Sequence, residues 1–401
     1  MKILRIITRL NIGGPSLHVL LLSSRLNPQR FTTCLVAGEP ASTEGDLSET
    51  VRGAGVRMIR LASLRRPIRP WADLVALVQL CRIVTEERPA IIHTHTAKAG
   101  TLGRAAGLFY NWCGHGRTPG ARAILIHTFH GHVLEGYFSV WMSRFFVKME
   151  QWLARRTDVL IAVSPSIRDQ LIGKGIGRAE QWRVIPLGLE LDALGQLPSA
   201  NGAAQVRVGL VGRLAPIKNP SMLLEAFQQL MRQPSRPPLS AVLVGDGPLR
   251  RRVERDVERF GLQGIVQMAG WQADMLAVYR AVEIACLTSW NEGTPVSLIE
   301  AMAAGRAVVS TDVGGVRDLL GAAEQPPEAI PAGGFSVAER GILVRAGDVR
   351  GLAAALDTLA ADPALRERLG RAARPYALGA FSSTRLVGDL EMLYTHLCPE
   401  V

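Results

Sequence analysis

Glu292 and Glu300 stand with seven residues between them in the stretch TSWNEGTPVSLIEAMAAG. Glu292 belongs to a polar loop after the apolar run Ile284–Leu287, whereas Glu300 sits among Leu298, Ile299, Ala301, Met302 and Ala303. For an arbitrary pair of glutamates, an exposed loop acid and a solvated helix acid would be the plainer reading. Glu300's apolar company weighs against it, because a buried carboxylate needs a partner, and sugar hydroxyls are suitable donors. Thr294 is placed as an N-cap and Pro295 as the first residue of a helix that stops at Gly305. The backbone around Gly293, Thr294, Pro295 and Val296 then offers N–H groups and a positive dipole end to an anion at the edge of a sheet.

Three further turns have the same form. In VGLVGRLAPIKNPSMLLEAF an apolar strand meets Gly212, then Arg213 and, five residues later, Lys218 before a helix. Such cations bind phosphate oxygens, Arg through its planar fork and Lys as a point charge; the alternative is surface charge at a helix start. LVGDGPLR places Gly245 at another strand end, and Gly270-Trp271 follows a third. Gly13-Gly14 follows the first strand but lacks the G-x-G-x-x-G spacing of a dinucleotide site, so neither NAD nor FAD is implied. Five of the eight histidines fall in IIHTHTAKAG (His93, His95) and LIHTFHGH (His127, His130, His132), at strand ends where open α/β sheets line ligand crevices. Hydrogen bonding to a ligand is the preferred role. A zinc site is the alternative, and the lack of a nearby acidic or Cys ligand opposes it.

These turns need a scaffold that repeats strand, loop and helix. At 401 residues with 48% hydrophobic and 20% charged, the chain suits two domains and excludes a disordered or fibrous protein. The five cysteines are scattered and form no C-x-x-C, which removes a disulfide framework and a thiolate metal site. No apolar run reaches the ~18 residues of a membrane span, and Lys2, Arg5 and Arg9 interrupt any leader, so a cytoplasmic location is expected. Strands are expected at Lys2–Thr8, Phe31–Val36, Arg57–Ile59, Ala90–His93, Ala123–Thr128 and Val159–Val163. In the second half they are expected at Val206–Val211, Ser240–Val244, Ile265–Met268, Ile284–Leu287, Ala307–Ser310 and Gly341–Val344. This is an α/β pattern of two doubly wound units joined near residues 190–205, with Gly321–Phe335 left as an exposed loop.

The net charge of +11 is unevenly divided. Residues 1–190 carry 25 Lys+Arg against 13 Asp+Glu, an excess of +12, while residues 191–401 carry 21 against 22. One half therefore faces an anionic partner. RLASLRRPIRPW and YFSVWMSRFFVKMEQWLARR combine cations with aromatics as a membrane-surface segment does, although Trp141, Phe145, Trp152 and Leu153 also fit one core-facing stripe. No nucleic-acid motif accompanies the charge, so no nucleic-acid partner is expected.

Taken in order, Gly13-Gly14, His130, Gly212-Arg213-Leu214, Lys218, the VGDGPL turn and the paired glutamates of NEGTPVSLIEAMAAG resemble the retaining glycosyltransferases of family 4. That resemblance implies the GT-B fold: two Rossmann-like doubly wound domains facing across a cleft. It implies an acceptor-binding domain over 1–190, a nucleotide-sugar-binding domain over 205–375, and a segment over 376–401 packing back on the first. It further implies that Arg213 and Lys218 hold the donor diphosphate, Glu292 the donor sugar, Glu300 the ribose, and backbone at Gly270-Trp271 the base. His130 would lie beside the transferred sugar. HTHTAKAGTLGRAAG and HTFHGH are most similar to members that extend lipid-linked saccharides for surface glycans, which agrees with the basic first half and implies a peripheral membrane location. The donor is a nucleoside diphosphate sugar, with uridine the preferred base and GDP-mannose the competitor. No cofactor or metal is expected, consistent with the lack of any Asp-x-Asp. A nucleotide-sugar 2-epimerase and a non-catalytic basic peripheral protein are the rival readings.

Overall fold

The structure is a computed structural model that describes residues 1–11, 13–40, 45–118, 120–131, 140–199, 205–232, 238–326 and 329–399. His132, Tyr137 and Phe138 of the segments singled out above lie outside these residues, as do 200–204 of the expected junction. The chain divides into two compact units, Met1–Leu189 with Ser383–Val401, and Glu190–Ser382.

In the first unit, seven strands run β1 (Lys2–Ile7), β2 (Thr32–Ala37), β3 (Arg57–Arg60), β4 (Ile91–His95), β5 (Ile124–Phe129), β6 (Val159–Ala162) and β7 (Trp182–Val184). They form one parallel sheet in the order β3-β2-β1-β4-β5-β6-β7. Ile3, Ile6, Ile92 and Leu125 are fully buried, as expected of strands covered by helices on both faces. The order reverses between β1 and β4, so the loops after these two strands part there and leave a crevice at their carboxyl ends. The C-terminal helix Ser383–Leu397 buries Leu386, Leu390 and Tyr394 against Ile3, Leu22 and Ile91. This returning segment begins at Ser383 and not at Tyr376, because the helix Pro363–Phe381 continues through both Pro375 and Tyr376 within the second unit.

The second unit repeats the plan with β8 (Val206–Val211), β9 (Leu239–Val244), β10 (Val266–Gly270), β11 (Ile284–Leu287), β12 (Ala307–Thr311), β13 (Phe335–Ala338) and β14 (Gly341–Val344). Their order is β10-β9-β8-β11-β12-β14-β13, parallel except for β13 at the edge. Here the order reverses between β8 and β11. The segment Gly321–Phe335 is not simply an exposed loop: Ile330 is fully buried, Ala323 bridges to Ala338, and Phe335 already belongs to β13. Two Rossmann-like parallel-sheet units are thus present, each with a switch point where a ligand crevice is expected.

Candidate active site

In the second unit the switch point is flanked by the loops after β8 and β11. Asn219, at φ 45°, turns the chain from the short 3-10 turn Pro216–Lys218 into the helix Pro220–Met231. That turn is fixed from the neighbouring loop. Thr288 Oγ1 donates to the carbonyls of Lys218 and Asn219 at 2.9 Å each, and Trp290 N–H donates to Ile217 C=O at 2.8 Å. The Lys218 ammonium consequently meets Glu292, with Nζ 2.5 Å from Oε1, while Ser289 Oγ donates to the same oxygen at 2.5 Å. A charge-assisted bond this short, with both groups partly buried, is among the stronger side-chain interactions. The two residues expected to hold different parts of a ligand hold each other.

Glycines make this packing possible. Gly314 has φ 54°, and a Cβ there would lie 1.7 Å from the Glu292 carbonyl oxygen. Only glycine both adopts this conformation cheaply and lets the loop after β12 seat on the Glu292 loop, where Gly315 N–H donates to Gly293 C=O at 3.0 Å. Gly245 makes the corresponding approach after β9: its Cβ would come within 2.1 Å of Gly212 C=O, and its N–H donates to Gly270 C=O at 2.7 Å. Gly212, Gly245 and Gly270 thus bring three strand ends together. Arg213 and Trp271 are exposed beside them.

The helix that follows the Glu292 loop runs Val296–Ala303, with Pro295 as N-cap. It starts one residue later than expected, and Thr294 does not cap it; instead Thr294 Oγ1 is buried without a hydrogen-bond partner. The other end is as expected, with Gly305 at φ 68° just past it. Glu300 Oε2 accepts from Tyr279 Oη at 3.1 Å, and the same hydroxyl lies 2.8 Å from Ser297 C=O. A single O–H serves the two acceptors, so Glu300 is incompletely compensated, and burial pushes its carboxyl up to about 7. Tyr279 is a site residue that sequence reasoning missed. It stands in the short helix Met275–Arg280 with no motif to mark it.

In the first unit, the strand-end histidines separate by side of the sheet. His93 is structural: its Nδ1 lies 2.6 Å from Tyr394 Oη and its Nε2 2.7 Å from Thr128 Oγ1, with Arg5 Nη1 donating to the same tyrosine at 3.0 Å. His127 points to the opposite face, where Nδ1 meets Thr94 Oγ1 at 2.8 Å. His95 Nδ1 and His130 Nε2 are 3.1 Å apart, and His18, outside the expected set, completes the group. Ring nitrogens of His18, His95 and His130 lie within 4.8 Å of one another, a spacing a metal ion would also accept. Burial holds all three imidazoles below their ordinary range, His130 at about 4, so near pH 7 they are neutral hydrogen-bonding groups. The signal for His18 was its helical offset from Gly13-Gly14, at which the helix Gly14–Arg25 begins.

The helix Val140–Ala154 settles the aromatic stripe. Its inner face is held by Leu153 and by Glu150, whose carboxylate takes a bidentate pair from the buried Arg104 at 2.6 and 2.7 Å. Trp141, Phe145 and Trp152 point outward at 80, 59 and 46% exposure, so a core-facing stripe is ruled out for these three. Arg144 lies over Trp141, and Arg156 lies 4.2 Å from the Trp152 ring and 6.0 Å from that of Trp112, which is itself exposed. No helix among the described residues is long and apolar enough to cross a membrane.

Comparison with known proteins agrees with this architecture. Residues 13–188 match the glycosyl transferase 4-like domain and residues 202–375 match glycosyl transferases group 1. A D-inositol 3-phosphate glycosyltransferase of Kineococcus radiotolerans is 31% identical over 394 residues, spanning 90% of this chain and 86% of that protein. A UDP-Gal:alpha-D-GlcNAc-diphosphoundecaprenol alpha-1,3-galactosyltransferase of Escherichia coli is 26% identical over 72% of this chain and 73% of its own. The solved structure of Anabaena HepE in complex with UDP-glucose superposes with a TM-score of 0.75 at 22% identity, covering 99% of this chain and 100% of that one. The chain belongs to the retaining glycosyltransferases of family 4 and has the GT-B fold. It is a glycosyltransferase enzyme, which sets aside both the epimerase and the non-catalytic readings.

Proposed function

We propose that the protein moves a sugar from a UDP-sugar to a hydroxyl of a lipid-linked saccharide during cell-surface glycan assembly, without a metal. The observation that carries this reading is the Lys218–Glu292–Ser289 cluster at the switch point of the second unit, with Glu300 on the helix that follows the Glu292 loop. In this reading the donor diphosphate takes Lys218 from Glu292, and the freed carboxylate accepts from sugar hydroxyls. Arg213 joins Lys218 on the diphosphate, Glu300 accepts from the ribose, and backbone at Gly270-Trp271 faces the base.

As the bond between the anomeric carbon and the diphosphate oxygen breaks, its electron pair passes to the diphosphate. Cations and helix N–H groups therefore stabilise the transition state more than the bound donor. The acceptor oxygen bonds to the anomeric carbon on the face the diphosphate leaves, and its proton passes to the departing phosphate oxygen. His130, neutral at working pH, orients the transferred sugar.

Support for the uridine donor and lipid-linked acceptor comes from the named specificity of the Escherichia coli relative and from the UDP-glucose bound to HepE. Support for membrane contact comes from the exposed Trp141, Phe145, Trp152 and Trp112 with their adjacent arginines, in the half of the chain that carries the +12 excess. Rings at the interface and cations at anionic headgroups is the arrangement of a peripheral anchor.

Incubation of a labelled UDP-sugar with membranes and EDTA should move label into the organic-extractable lipid, in α-linkage for an α-linked donor. Label that stays wholly water-soluble, or transfer abolished by EDTA, contradicts the reading. The anchor is tested with anionic vesicles: cosedimentation should fall steeply between ~0.1 and ~1 M salt, as the screening length drops from about 10 to 3 Å. It should fall further in Trp141→Ser/Phe145→Ser, and binding insensitive to both changes would remove the basic-aromatic surface from the account.

A further inference from the structure

The segment RLASLRRPIRPW leads into the helix Pro70–Glu87, which carries apolar side chains on two opposite faces. Ala76, Leu80 and Val84 make the inner face, in one core with Leu4, Ile6 and Ile92 of the first unit's sheet. Trp71, Leu74, Val75 and Val78, spaced i, i+3, i+4 and i+7, make a second stripe that is exposed, Trp71 by 80%. A surface helix normally shows one apolar stripe and a polar opposite face. Here that polar face exists only in the second half of the helix, where Arg82, Thr85 and Glu86 are exposed. Packing within the unit explains the inner stripe and leaves the outer one uncovered.

The neighbouring helices extend this surface. Ala97–Cys113 and Val140–Ala154 lie beside Pro70–Glu87 on the same face of the sheet and share its core through Ala106 and Leu153. Of the fifteen large hydrophobic side chains exposed among the described residues, eleven belong to these three helices, counting Ile68 just before the first. Scattered exposure is ordinary, but concentration on one layer marks an interaction surface. Its charge has one sign. Residues 61–78 carry Arg65, Arg66 and Arg69 against a single acid, Asp73. Asp73 is neutralised by Lys98, whose Nζ lies 2.6 Å from its Oδ1 and donates to Pro67 C=O at 2.5 Å. Arg65 also reaches Glu39 at 3.2 Å. Ala97–Cys113 has no acid, Glu150 is buried on Arg104, and Glu86 is the one exposed acid of the three helices.

We propose that residues 65–78 form a second membrane-contacting element, which lays the three-helix layer of the first unit on an anionic bilayer. This rests on the membrane contact proposed above and adds its orientation. The stripe occupies the half of the helix that follows the carboxyl end of β3, the sheet edge at which His95 ends β4 and His130 follows β5. Contact here brings the crevice of the first unit to the bilayer surface, where a lipid-linked acceptor presents its saccharide. Lys98, in the helix that follows His95, ties the contact to that edge. Arginines select anionic headgroups while rings and methyls enter the interface. A second copy of the chain is the rival occupant, and the like charge of two such faces opposes it.

A polarity-sensitive fluorophore on Leu74→Cys, in the full chain with Cys113→Ser, reads the stripe directly. The same label on Phe145→Cys reads the helix Val140–Ala154. Phosphatidylglycerol vesicles should shift both labels to the blue, and phosphatidylcholine vesicles should leave both nearly unchanged. Trp71→Ser/Val75→Ser should lower the partition coefficient by at least ~10-fold, the equivalent of ~60 Å² of apolar surface kept from lipid. Its unfolding midpoint should stay close to that of the wild type, since the changed side chains are exposed. A label on Leu74→Cys that stays unshifted while that on Phe145→Cys responds overturns the proposal and leaves the other helix as the anchor. Silence of both overturns it together with membrane contact itself. A shift on Leu74→Cys that grows with protein concentration in the absence of vesicles places a second copy on the stripe and overturns it too.

Discussion

Lys218→Met is expected to lower kcat/KM for sugar transfer by about 10²–10³-fold, mostly through kcat, while circular dichroism shows an intact fold. Removal of a single donor aimed at developing negative charge has this magnitude, because the charge on the leaving diphosphate is largest in the transition state. Lys218 is also the counter-ion of Glu292, and its loss leaves a partly buried carboxylate with Ser289 as its remaining side-chain partner. That costs on the order of 1–3 kcal/mol of stability. The double variant Lys218→Met/Glu292→Gln removes both charges and should recover much of the stability without recovering activity. Recovery of both would show that Lys218 matters only as a structural partner.

Glu300→Gln is expected to uncouple stability from activity in the opposite sense. The carboxyl titrates at about 7 in the folded protein against an ordinary 4.5, because burial outweighs the one hydrogen bond from Tyr279. Between pH ~4.5 and ~7 the folded protein keeps a proton that the unfolded chain has released. Stability therefore falls as pH rises through that window and levels off above it. The full difference is on the order of 3 kcal/mol, at 1.36 kcal/mol per pH unit. Urea unfolding at pH 5 and pH 8 should show Glu300→Gln nearly level where the wild-type protein declines. The same change should raise the donor KM by at least ~10-fold, since an amide is a poorer acceptor for paired ribose hydroxyls, and Glu300→Ala should abolish transfer. An unchanged donor KM would remove Glu300 from the proposed ribose site.

The sequence carried most of this architecture because the strands are nearly continuous apolar runs punctuated by Gly and Pro. Two elements escaped. Trp182–Val184 is three residues long, and β13 lies inside a Pro- and Gly-rich stretch whose pairing with β14 is fixed by tertiary contact, not by local pattern. The loop residues were legible as types at spacings, but their partnership was not. Nothing in the spacing of Lys218 and Glu292 says that their side chains touch, since that depends on β8 and β11 being neighbours at the switch point. Tyr279 was invisible for a related reason: it reaches its site from a helix whose own sequence carries no motif.

A metal-independent site for a UDP-sugar on the second unit is open to test by thermal unfolding against UDP-, GDP-, ADP- and TDP-sugars in EDTA. A ligand specific for the folded state adds about 2.7 kcal/mol at ~100 times its dissociation constant, a readily visible shift. A UDP-sugar should raise the midpoint in the presence of chelator and lose that effect in Lys218→Met. A shift confined to another base, or one that requires added metal, would contradict the account.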